Sequence, residues 1–397
     1  MISALLNTLN EILYNNAEEL RCNMKALLRL TLCLLVAISL IFYTQGQEVK
    51  TVGDVKIVKN GKNPKPQKGV PSKVRFEQEL VIGESDDPEE SFAEVSNFVV
   101  DEAGTIYALD FKDRKLKVFD RKGQFVRSFG EQGQGPGEME LPAGIHLAPN
   151  DELVVEDAYA RKLVYFNKEG TYIKDISFAD RMALVNLVMG PKGHFLGREM
   201  KLEGEKMFFV IKKLDPELKP QFSLDQIEFA IPIPGSGNKI DLMDMLSIYQ
   251  FDISGNIYYG RNIDYEIKVY SFDGTHMRSI RKEYDPQEVT EEDIKEILNR
   301  IPDVGPINVK ELFEFPERFP PYQFFTLDEE DRVFVRTWNK GENKGEFITD
   351  IFDSEGRYIA RFPSKMDIRV WKNGKAYSYE ENEEGFKVIK VYKVLWE

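Results

Sequence analysis

A strand, a polar turn and a second strand recur six times along this chain, and that repeat limits the possible folds more than any other feature. The copies are NFVVDEAGTIYALD (97–110), IHLAPNDELVVED (145–157), LVMGPKGHFLGRE (187–199), YQFDISGNIYYGR (249–261), FFTLDEEDRVFVRT (324–337) and IRVWKNGKAYSYE (368–380). Asp, Asn, Gly or Pro supplies each turn between two short strand-forming runs. The first five copies lead into a third strand, a second turn and a fourth strand, as in LKVFDRKGQFVRSFG and IKVYSFDGTHMRSI. Four short strands per unit, in tandem, predict an all-β fold: a six-bladed β-propeller with four antiparallel strands per blade. A chain of 397 residues is long for one compact core and ordinary for such a ring.

The sixth unit has only one further strand, FKVIKVYKVLW (386–396), before the chain stops. A three-stranded blade would leave a bare edge. The segment VRFEQELVIG (74–83) has the phase of a fourth strand, because it ends like FVRSFG (125–130) and leads into a Gly/acid loop. It is therefore expected to pair with residues 386–396 and close the ring. The plan is a propeller over 74–397, an extended linker over 47–73 and a separate segment over 1–46.

That first segment reads as an export signal. Lys25 and Arg29 precede an apolar run from Leu30 to Tyr43, too short for a comfortable membrane span and right for a signal-peptide core. Thr44 and Gly46 fit a cut after Gly46. An uncleaved membrane anchor is the alternative. A signal normally starts near its Met, so Met24 is a candidate start and 1–23 a misassigned extension. Both cysteines, Cys22 and Cys33, lie here, so cleavage leaves a mature chain without thiols. Leu32 is too large for a lipoprotein signal. The expected location is periplasmic, outer-surface or secreted.

Residues 97–178 resemble the NHL-repeat family. The resemblance rests on FGEQGQGPGEMELPAGIHLAPNDELVVEDAYARKLVYFNKEG: the GQGPGE loop, Leu141-Pro142, a strand pair ending in Asp157, then Arg161 and the Asn167–Gly170 turn. The stretch DVKIVKNGKNPKP (54–66) looks like a large bacterial group of exported six-bladed propellers. The later blades match in strand pattern alone. NHL propellers include an amidating lyase, RNA-binding domains and sensor domains, so the fold does not select a function.

Two connections between a fourth strand and the next first strand are long, 225–242 and 284–322. Loops on a rigid ring are common binding elements. Within the second, TEEDIKEILNRI (290–301) predicts a helix, with Thr290 and Asp293 at capping-box spacing and Ile294, Ile297, Leu298 and Ile301 on one face. The second strands end at Asp110, Asp157, Glu199, Arg261, Thr337 and Glu380, and period-two alternation gives these positions equivalent faces. Asp110 and Asp157 are expected to bond their own turns, beside Arg114 and Arg161. Lys112 lies nearby. Arg198, Arg261, Arg336 and Trp338 depart from the NHL pattern and are the candidate ligand-binding residues, expected to converge on one cleft. Planar guanidiniums and a flat indole suit an anionic or sugar-like ligand.

Catalytic and metal motifs are absent from the sequence: there is no HExxH, GxSxG or phosphate loop. His146, His194 and His276 fall on three different units, against the three converging ligands that zinc needs. Asp110, Asp157, Glu199 and Glu380 could offer Ca²⁺ a few oxygens, with Arg261 opposing the cation. A net charge of −14 argues against nucleic acid as a partner. The reading is a monomeric, non-enzymatic binding propeller for a small polar ligand or a protein, with membrane contact only through an uncleaved N-terminal segment. A hydrolase or lyase with a channel metal, and a scaffold using its outer blade edges, are the alternatives.

Overall fold

The computed structural model describes residues 47–204, 206–229, 239–241, 243, 246–299 and 309–397. The export signal read over 1–46, most of the first long loop and the end of the predicted helix lie outside these described residues. The compact unit Glu48–Glu397 is a six-bladed β-propeller.

Each blade has four antiparallel strands, A to D. Blade one comprises Val95–Val100, Ile106–Asp110, Lys115–Phe119 and Phe125–Phe129. Blade two comprises Pro142–Leu147, Leu153–Asp157, Lys162–Phe166 and Tyr172–Ser177. Blade three comprises Ala183–Met189, Phe195–Glu203, Lys206–Leu214 and Pro220–Phe229. Blade four comprises Ser247–Phe251, Ile257–Arg261, Glu266–Tyr270 and His276–Lys282. Blade five comprises Tyr322–Leu327, Val333–Lys340, Phe347–Phe352 and Tyr358–Ser364. Blade six comprises Asp367–Lys372, Lys375–Glu381, Lys387–Trp396 and, as strand D, Val74–Ile82. The A strands of neighbouring blades touch in order, from one to six and back to one, so the ring is closed.

Closure occurs where the sequence placed it. Val74–Ile82 runs antiparallel to the last strand, with Val74 opposite Trp396 and Ile82 opposite Ile389. The chain ends are thereby joined, and blade six has no missing strand.

The turns explain why these segments become hairpins. Asp252 accepts the N–H groups of Ser254 (2.9 Å) and Asn256 (2.8 Å) on one carboxylate oxygen, while Gly255 N–H returns to the Asp252 carbonyl. The same pattern recurs at Asp101, Asp120, Asp215, Asp328, Asp353 and Asn382. The fourth turn residue is left-handed, as Gly255 is at φ 90°, a conformation glycine adopts without Cβ strain.

The core lies between blades. Alternation sends one set of side chains to the preceding blade and the other to the following blade. Six apolar clusters fill the six interfaces; between blades four and five, for example, Tyr265, Ile267 and Val269 meet Val333, Val335 and Phe352.

The 47–73 segment contains structure beyond an extended linker. Glu48–Val52 and Val55–Asn60 form a hairpin, and its second strand adds in parallel to strand D of blade four. The buried Asn60 amide donates to the carbonyls of Arg281 and Gly356 (3.0 Å each), and its oxygen accepts Tyr358 N–H at 2.8 Å. The chain then crosses blade five through Lys65 N–H to the Tyr358 carbonyl, and reaches blade six where Ser72 and Lys73 N–H bond the Glu397 carbonyl. This strap ties three blades together. No helix among the described residues is long and apolar enough to cross a membrane.

Candidate functional site

The second long connection has its predicted helix, α1 (Glu291–Asn299). Thr290 caps it: Asp293 N–H reaches Thr290 Oγ1 at 3.2 Å, and Thr290 N–H and hydroxyl donate to Asp293 at 3.0 and 2.6 Å. Ile294, Ile297 and Leu298 are half-buried. Burial opposes the Asp293 carboxylate, but the bonds from Lys340 (2.8 Å) and Thr290 hold its pKa below the ordinary range. The base of this insertion is zipped by Val289 N–H to the Glu317 carbonyl and Phe319 N–H to the Gln287 carbonyl. The two long connections meet, since Ile240–Asp241 pairs in parallel with Phe313–Glu314. Residues 225–229 of the first are strand D of blade three rather than loop.

The four candidate residues do not converge. Arg198 is buried against blade four, donating to Ser247 Oγ at 2.9 Å and lying over Phe209. Arg336 is buried toward blade six, bonded to the Met366 carbonyl and over Phe347, beside a 20 Å³ cavity. Trp338 stacks on Phe319 at 4.3 Å and anchors the insertion. Arg261 is the most open of the three arginines; it lies 3.9 Å from Asp225 and lines a 230 Å³ pocket. The reason is strand alternation. Arg198 and Arg336 occupy positions facing the following blade, whereas Arg261 faces the preceding one.

The strand-B ends do share one face of their blades, but all except Arg261 are bonded locally. Asp110 accepts N–H groups from Ala93, Glu94 and Asp113, and Asp157 from Glu140, Leu141 and Ala160. Each carboxylate therefore joins its own turn to the loop leading into its blade. Arg114 extends to the Glu140 carbonyl and Arg161 to that of Arg181. Lys117, fully buried, holds the Pro88 and Ser91 carbonyls and Asp113. Lys112 lies 3.5 Å from Glu94. Glu199 pairs with Lys212 at 2.6 Å, Thr337 donates to the Ile348 carbonyl at 2.8 Å, and Glu380 accepts from Tyr392 at 2.8 Å. No group of three or more His, Cys, Asp or Glu among the described residues is arranged to hold a metal ion.

A different constellation faces an open cleft of about 390 Å³ where blades four and five meet the strap and the insertion. At its floor Asp350, 2% exposed, accepts the hydroxyls of Tyr265 (2.7 Å) and Tyr358 and pairs with Lys282 at 3.3 Å. Lys282 also lies over both tyrosine rings. Burial first, then the Asp350 charge, pushes both phenol pKa values far up, so these hydroxyls remain donors. A buried carboxylate is costly unless its lone pairs are filled, and here three donors fill them. The walls come from Lys62 on the strap, Gln287 on the insertion, and Lys340 and Arg361 on blade five. Sequence reasoning missed these residues, although the segment carrying Gln287 was singled out as a long loop. A 550 Å³ cleft between blades six and one, lined by Glu84, Asp86 and Glu384, lacks a comparable buried network.

Fold and site together define a closed six-bladed propeller with a polar cleft on the face that carries its D–A and B–C loops. The chain belongs to the DUF5128 family, described as a 6-bladed beta-propeller, whose pattern matches residues 89–314. The finer NHL kinship read over 97–178 is not part of that assignment. Among solved structures, a Bacteroides fragilis NCTC 9343 protein inferred to be exported is similar at a TM-score of 0.53 and 13% identity, over 86% of this chain and 99% of that one. A duf4221-family protein from Bacteroides vulgatus is similar at a TM-score of 0.50 and 16% identity, over 83% of this chain and 100% of that one. At these identities the likeness speaks for the fold alone. No curated protein matches the sequence.

Proposed function

We propose that this protein is an extracytoplasmic, non-enzymatic binding propeller that holds a small polar ligand in the cleft between blades four and five. The observation that carries the reading is a 390 Å³ cleft whose floor is a buried, fully hydrogen-bonded Lys282–Asp350–Tyr265–Tyr358 network. Such a network holds the floor rigid, so that the wall groups Lys62, Gln287, Lys340 and Arg361 meet a ligand over a surface that does not reorganise. The cleft lies beside the longer of the two long connections singled out from sequence, on the face that carries the D–A and B–C loops. The extracytoplasmic part of the reading rests on Lys25, Arg29 and the 30–43 apolar run.

The test of the site is a thermal-shift screen of small polar compounds on the mature chain and on a Gln287→Ala, Arg361→Ala double variant. A compound that raises the Tm of the wild type and not of the variant supports the cleft. A compound that stabilises both equally places binding elsewhere and overturns it. N-terminal sequencing tests location: mature protein is expected to start near Gln47, and soluble cytoplasmic protein starting at Met1 or Met24 refutes export.

A further inference from the structure

Resting on that reading of the cleft, we propose that its ligand is a neutral saccharide rather than an ion or an apolar molecule. The charge balance is the first reason. Four cations line the cleft, Lys62, Lys282, Lys340 and Arg361, against the carboxylates of Glu283, Asp285 and Asp350. Asp293, just behind the wall, holds Lys340 and completes the balance at four to four. Lys62 is bound to Asp285 and Lys282 to Asp350, so an anion would have to compete with a carboxylate already seated on each of three lysines. An incoming cation would meet the lysines in the same way. Neither sign of ligand gains a net field at a balanced site.

A neutral polyol needs no such exchange. Adjacent sugar hydroxyls each donate and accept, and the exposed Lys62–Asp285 pair offers a donor and an acceptor side by side. Hydrogen bonds to charged partners are also the stronger kind. The amides of Asn63, Gln287 and Asn339 add further donor–acceptor couples around the rim. Gln287 Nε2 donates to the Asp285 carbonyl at 3.1 Å, and its amide oxygen can accept from a ligand hydroxyl. Tyr284 contributes a half-buried ring against which the C–H face of a pyranose can lie. Ile348 is the sole aliphatic side chain among the described lining residues, which leaves too little apolar surface for a lipid or an aromatic ligand.

The experiment is isothermal titration calorimetry of the mature chain with glucose, galactose, mannose and their disaccharides, and in parallel with inorganic phosphate, citrate and glycine. A saccharide is expected to bind with an affinity that changes less than twofold between 50 and 500 mM salt. Asn63→Ala and Gln287→Ala, both exposed positions, are each expected to weaken it at least tenfold while leaving Tm unchanged. Phosphate or citrate binding that falls more than tenfold with salt and is lost in Lys340→Met would overturn the saccharide class while leaving the cleft in place. Saccharide binding that neither variant weakens would overturn the cleft itself. No heat from any of these saccharides at millimolar concentration also overturns the saccharide class.

Discussion

Glu156 lies on strand B of blade two, 3% exposed, and faces blade three next to His146. Its cross-strand partner is Gly144, where a Cβ would sit 3.3 Å from Glu156 Oε2 and 3.8 Å from His146 Nε2. The missing side chain makes room for both polar groups. Burial raises the Glu156 carboxyl to about 7 against one opposing hydrogen bond from Leu187 N–H, and burial lowers His146 to about 4. The folded state thus holds the Glu156 proton more tightly than the unfolded chain. This group's contribution is most favourable below its unfolded value of 4.5, falls as pH rises to about 7, and is flat above. At about 1.4 kcal/mol per pKa unit, ionised Glu156 costs about 3 kcal/mol at pH 8. His146 works in the opposite sense, its contribution intact above 6.5 and lost as pH falls toward 4. Between 4.5 and 6.5 the two slopes oppose, so the wild type conceals both. Glu156→Gln removes one, keeps the volume and leaves an oxygen for Leu187 N–H. Urea unfolding of both proteins, followed by fluorescence of Trp338, Trp371 and Trp396, should show the variant more stable by up to about 3 kcal/mol at pH 8. The advantage should vanish by pH 4.5. A difference between the two proteins that does not change with pH would falsify the buried-carboxyl account.

Other expectations follow from single contacts. Asn60→Ala removes the amide that bridges strap, blade four and blade five and should cost at least about 2 kcal/mol in urea unfolding; an unchanged midpoint would mean the strap is dispensable. Gly83→Ala meets a left-handed backbone at φ 89° and a Cβ only 2.2 Å from the Phe92 ring, so a loss of at least about 2 kcal/mol is expected by the same assay, and a silent substitution would contradict it. Deleting 47–83 removes strap and closing strand together and should abolish cooperative unfolding of the whole ring; a deletion that melts like the full chain would show that closure does not stabilise it. Thr290→Ala should cost about 1 kcal/mol at α1, seen as faster amide exchange over 291–299, with exchange at the wild-type rate counting against the cap.

The sequence determined the blade count, the four-strand units, the closing strand and the capped helix, because each is written in residues close together in the chain. Period-two alternation and Asp-x-x-Gly turns act over a handful of positions, and Thr290 reads Asp293 one helical turn away. The structural role of Asp110 and Asp157 was legible for the same reason, since part of what each carboxylate binds is its own turn. Period-two alternation puts Arg198 and Arg336 on the opposite blade face from Arg261, and the expectation of a single cleft overlooked it. What waits on the face of Arg198 and Arg336 belongs to the neighbouring blade, and only the tertiary structure shows that Ser247 and the Met366 carbonyl are already there. The strap was invisible because its hairpin pairs with a strand more than two hundred residues away, and Asn60 bonds backbone groups that carry no sequence signature. The cleft is the extreme case. Lys62, Lys282, Gln287, Lys340 and Arg361 are ordinary polar residues at unrelated positions, and closure of the ring and passage of the strap across it make them neighbours.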